Sequence, residues 1–66
     1  MKWHKVEDYP IEFDEYVLVS PNFSGVRTTR SCFTAKLKDG FWDDGMDMCT
    51  EVESTDRWCY IDLPED

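Results

Sequence analysis

The chain has 66 residues, fifteen acidic and seven basic side chains, one His, and a net charge of −8; three Trp, three Tyr and four Phe fall among its hydrophobic positions. A length of this order makes one domain that buries only about 60% of its unfolded surface, so stability must come from a small core of large side chains, and the aromatics are its natural source. The negative charge argues against direct nucleic-acid binding and against an anionic membrane surface, both of which need clustered Lys and Arg.

Trp3-His4-Lys5-Val6 reads as a short edge strand near the start of the chain. Residues 7–15 hold five acids around Pro10, which can neither donate to a ladder nor sit inside a helix, so the stretch is a turn or one irregular helical turn with Ile11 and Phe13 dipping into the core. Tyr16-Val17-Leu18-Val19-Ser20 is a strand by its β-branched content, stopped at Pro21 and Asn22. A loop over 21–25 leads into residues 26–38, which read as one long strand with a bulge or bend near 28–30, antiparallel to the strand before it.

Asp39-Gly40 is the dipeptide of a two-residue type I′ turn, both of whose positions need φ > 0. The turn sets Lys38 against Phe41, Leu37 against Trp42 and Lys36 against Asp43, and alternation sends Phe33, Ala35, Leu37 and Trp42 to one buried face. Residues 43–49 lack either periodicity and read as a loop; residues 50–53 briefly rejoin the sheet. Arg57-Trp58-Cys59-Tyr60-Ile61-Asp62-Leu63 is the last strand, ended by Pro64. Its faces are Trp58/Tyr60 and Cys59/Ile61/Leu63, and the pattern does not distinguish which is inward. With no helix of three turns, the fold is all-β: one domain over residues 1–66, a small curled antiparallel sheet of four to five strands approaching a partly open SH3-like barrel.

In its order of short motifs the chain resembles the phage and prophage proteins grouped as domain-of-unknown-function family five-fifty-one. The residues that carry the resemblance are Trp3, then Pro10 ahead of Val17-Leu18-Val19, Ala35, Gly40-Phe41-Trp42, and Trp58 leading to Leu63-Pro64. The chain departs from the family where Glu12-Phe13-Asp14-Glu15 replaces a glycine-bearing turn, where Arg57 replaces a His before the final Trp, and where the run to Pro64 is longer. The resemblance implies a phage or prophage origin and a bacterial cytosol, and it implies no activity and no catalytic residue.

Three cysteines, Cys32, Cys49 and Cys59, form an odd set, and Met1-Lys2-Trp3-His4 is too polar for a signal sequence, so free thiols in a reducing cytosol are expected. No apolar run reaches the length of a membrane span. A Cys₃His zinc site from these thiols and His4 would lack the Cys-x₂₋₄-Cys knuckle that structural zinc shows, and buried cysteines acting as small hydrophobes are the simpler reading. One His, far in sequence from each Cys, and no Gly-rich oxyanion or phosphate loop make an enzyme the unfavoured class.

The acidic stretch Asp39, Asp43, Asp44, Asp47, Glu51 and Glu53 is the candidate binding site. As an EF-hand loop with Gly45 at its turn it would place Glu51 and Asp44 correctly, but Gly40 and Trp42 would fall at ligand positions, so no metal or other cofactor is expected. Two acidic runs, residues 7–15 and 39–53, hold eleven of the fifteen acids. On one side of the fold they would steer a basic partner; scattered, they would only keep a small domain in solution. The leading expectation is a non-catalytic module that binds a protein with a basic surface. The alternatives are a nucleic-acid mimic that inhibits a host DNA-binding enzyme and, less favoured, a small enzyme. A sheet this small also has edges through which two copies can pair into a homodimer.

Overall fold

In the computed structural model residues 2–10, 15–46 and 49–64 are described; the expected core residues Ile11 and Phe13 and the acid Asp47 lie outside them. The chain is all-β. Strands β1 (His4–Lys5), β2 (Val17–Ser20), β3 (Phe33–Lys38), β4 (Phe41–Asp43), β5 (Cys49–Glu51) and β6 (Arg57–Cys59) form one antiparallel sheet in the order β1-β6-β2-β3-β4-β5. The only helical pieces among the described residues are single 3₁₀ turns, Val6–Asp8 and Thr29–Ser31.

The hairpin at residues 39 and 40 forms as its dipeptide demands. Asp39 and Gly40 have φ of 52° and 82°, and the register is Lys38↔Phe41, Leu37↔Trp42 and Lys36↔Asp43. Partners directly opposite in a ladder share a face. His4, Trp58, Val19 and Phe33 therefore line up on one face, as do Val17 with Ala35 and Leu37 with Trp42 and Thr50. Val17, Val19, Ala35, Trp42 and Trp58 on that face are buried, with Phe33 and Leu37 packed against them. The Tyr9 ring lies between the two indoles, 5.1 Å from Trp58 and 6.1 Å from Trp42 between centroids, and with Val6 and Val52 it roofs the core. One sheet face with a roof of irregular chain is how 66 residues bury two tryptophans without a second layer.

Three expectations need correction. Among the described residues the sheet has six strands and stays open: β1 and β5 stand at opposite ends of the order and each pairs with one neighbour, without SH3-like closure. The long strand over 26–38 is confined to Phe33–Lys38. Ser24 and Gly25 (φ 54° and 82°) make a second tight reversal that pairs Phe23 with Val26, and the 3₁₀ turn then takes up the Ser31 and Cys32 amides with the Thr28 and Thr29 carbonyls. Local bonds thus satisfy backbone groups that a ladder would otherwise have served. The last strand stops at Cys59, opposite Leu18, because β2 begins at Val17 and offers little further ladder; Tyr60 and Leu63 are exposed. Trp58 is inward, and Cys59 on the other face is buried too.

Candidate functional site

The face away from the core carries the charge. Lys5, Arg57 and Ser20 are consecutive ladder partners across β1, β6 and β2, so their side chains emerge side by side. Arg27 reaches them from the connection between β2 and β3: its Nη1 donates to the Ser20 carbonyl at 2.7 Å, and its Nη2 donates to the Thr55 carbonyl. Arg57 Nη1 donates to the carbonyls of Ser54 (3.0 Å) and Asp56 (2.8 Å). Both guanidiniums are thus held by main-chain carbonyls. With Lys5, they border a recess of about 680 Å³ that Trp3, Thr28 and Thr29 also line. Three of the chain's seven basic residues meet here, and no carboxylate among the described residues lines the recess.

The predicted acidic residues are placed differently. Asp39 is exposed in the hairpin turn, Glu51 is exposed on β5 opposite Phe41, and Glu53 is exposed just beyond it. Asp43 and Asp44 are half-buried, and each closes a local turn: Asp43 Oδ1 accepts from the Gly45 amide at 2.9 Å, and Asp44 Oδ1 from the Met46 amide at 2.8 Å. Their carboxylates serve the β4–β5 connection, an Asx-type role that Asn could also fill. Glu51 and Glu53 border a second hollow with Phe23, Phe33 and Asn22. No group of three or more His, Cys, Asp or Glu among the described residues is placed to hold a metal ion.

Of the other candidates, the His4 ring stacks on Trp58 at 4.6 Å and meets the Tyr60 ring edge-on at 5.8 Å. Cys49 is exposed on β5, Cys32 is half-buried beside the recess, and Cys59 is buried; all three are free thiols. Burial pushes the Cys59 thiol above its ordinary pKa. Among the described residues no helix is long and apolar enough to cross a membrane.

The basic recess is what sequence reasoning missed. Lys5 and Arg57 are 52 positions apart and become neighbours only through the β1–β6 ladder, which no local pattern announces. No family model, curated protein or solved structure matches the chain.

Proposed function

We propose that the chain is a non-catalytic protein-binding module, an accessory protein of phage or prophage type, whose acidic edge takes a partner with a basic surface. The observation that carries this reading is strand β5: it ends the sheet, all three of its residues are exposed, and it presents Glu51 beside the exposed ring of Phe41. Asp39 and Glu53 flank that pair. An unpaired strand edge supplies main-chain donors and acceptors to an incoming strand, an exposed aromatic supplies an anchor, and the surrounding acids select for Lys and Arg.

The test is capture from bacterial lysate on the immobilised chain, run beside the triple variant Asp39→Asn, Glu51→Gln, Glu53→Gln and a Phe41→Ser variant. The expected result is a basic protein that is retained at low salt, eluted by added salt, and lost by both variants. A partner held equally by the triple variant, or no retained partner, would overturn the reading.

A further inference from the structure

We propose that the recess formed by Lys5, Arg27, Arg57 and Trp3 is a binding site for a phosphomonoester whose organic part is flat enough to lie on the Trp3 ring. The proposal is independent of the acidic edge, which lies at the other end of the strand order. It begins from an imbalance. In a chain with fifteen acids and seven bases, three bases gather in one recess, and no acid among the described residues lines it. Surface cations in such a protein would ordinarily be interleaved with its abundant carboxylates, because like charges brought together repel.

The guanidiniums are also placed in advance. Arg27 is tied to the Ser20 and Thr55 carbonyls, and Arg57 to those of Ser54 and Asp56, so neither must be ordered when a ligand arrives. Each guanidinium has five N–H donors, and the bonds of Arg57 leave only from Nη1. Its Nη2 and Nε remain as the adjacent pair that matches two oxygens of a phosphate. Lys5 adds a third positive charge next to Arg57 on the ladder. A phosphomonoester, close to a dianion at neutral pH, is better matched to three positive charges than a singly charged carboxylate.

The remaining wall decides what else the ligand carries. Trp3 lines the recess and is 40% exposed, while Trp42 and Trp58 are each about 1% exposed in the core. A half-open indole beside a phosphate-binding set offers stacking to a planar group. A recess of about 680 Å³ falls in the range of small-molecule sites and has room for a ring as well as the phosphate. Glu7 borders an adjoining hollow with Lys5 and Arg57 but does not line the recess itself, and acids beyond a Debye length of about 8 Å are screened at physiological salt, so the overall negative charge does not forbid an anion here.

The experiment is an NMR titration of the full chain at physiological salt with phenyl phosphate, inorganic phosphate and phenol, reading the Arg27 and Arg57 Nε–H signals and the Trp3 indole N–H. Phenyl phosphate is expected to move all three signals, saturating near or below about 1 mM. Inorganic phosphate should move the two arginine signals at higher concentration, and phenol should move none to saturation. Lys5 is exposed on an edge strand, so Lys5→Gln should keep the folded spectrum and weaken phenyl phosphate binding by about tenfold. No saturable shift up to about 10 mM phenyl phosphate, shifts at Lys36 and Lys38 as large as those at the arginines, or unchanged affinity in the Lys5→Gln chain would each overturn the site. Equal affinity for inorganic and phenyl phosphate would overturn the organic ester as its ligand.

Discussion

Trp42 donates its indole N–H to Asp56 Oδ2 at 3.0 Å, and the same oxygen accepts the Glu53 amide at 2.9 Å. Both side chains are buried, Trp42 on β4 and Asp56 in the connection that enters β6. One carboxylate thus fastens the end of the hairpin to the return of the chain toward the other half of the sheet. Since β4 and β6 are not neighbours in the sheet, this bond ties together parts that no ladder joins directly.

Replacing that carboxylate should therefore be the most damaging polar substitution in the chain. Asp56→Ala strands the buried Trp42 indole N–H, at about 1–3 kcal/mol, and the part-buried Glu53 amide at less, so a loss of about 2–4 kcal/mol is expected. A domain of this size has only about 3–5 kcal/mol to lose. Asp56→Asn keeps an acceptor and should cost less. Urea unfolding followed by tryptophan fluorescence measures both, and a loss below about 1 kcal/mol in the Ala variant would remove Asp56 from this role.

The hairpin turn makes a separate demand on the backbone. A Cβ at Gly40 would meet nothing within 4 Å, so Gly40→Ala should cost only its left-handed conformation, about 1 kcal/mol. Asp39→Val, with a β-branched side chain at φ 52°, should cost more, about 1–2 kcal/mol. The ranking of the two, read from urea midpoints, checks that both positions need positive φ.

The thiols should react in the order of their exposure. Cys49 on the edge strand is expected to be alkylated first, Cys32 more slowly, and Cys59 only when the chain opens. Burial raises the Cys59 pKa in the folded state, so the folded chain holds that proton to higher pH than the unfolded chain does. That contribution is fully present below the unfolded thiol value of about 8.5 and is lost as pH rises through the folded value. Stability should fall across that alkaline window in the native chain, and the fall should be shallower in Cys59→Ala.

Strand β1 is the shortest member of the sheet, and Trp58 helps to fasten it. Trp58 Nε1 donates to the Lys5 carbonyl at 2.9 Å, and the His4 ring stacks on the same indole. Trp58→Phe keeps an aromatic core residue but removes that donor. Amide exchange at His4 and Lys5 should accelerate well beyond any change in β3, whereas uniform acceleration would show that β1 opens only with the whole sheet.

The parts of the fold legible in the sequence are those set by neighbours in the chain. Asp39-Gly40 dictated its own turn, the turn dictated the register of β3 with β4, and alternation then turned Ala35 and Trp42 inward. Val17-Leu18-Val19 similarly announced β2. What escaped reading depends on residues far apart in the chain. The stretch after Val26 is β-prone by composition, yet two tight turns and the Arg27 side chain bonds draw it off the ladder. The acids at 43 and 44 resemble a binding loop in one dimension and close turns in three. The basic recess needed the pairing of β1 with β6, which joins the two ends of the chain and leaves no mark in either segment alone.

Charge gathers locally at two places on this sheet, cations around Lys5, Arg27 and Arg57 and exposed acids at Asp39, Glu51 and Glu53, with Lys36 and Lys38 on β3 between them. Paramagnetic relaxation of the amide protons by a matched pair of small co-solutes, one cationic and one anionic, measures the near-surface potential at each residue directly. The anionic probe should relax the amides of Lys5, Arg27 and Arg57 relatively more, and the cationic probe those of Asp39, Glu51 and Glu53. A potential equally negative at both groups would contradict the account.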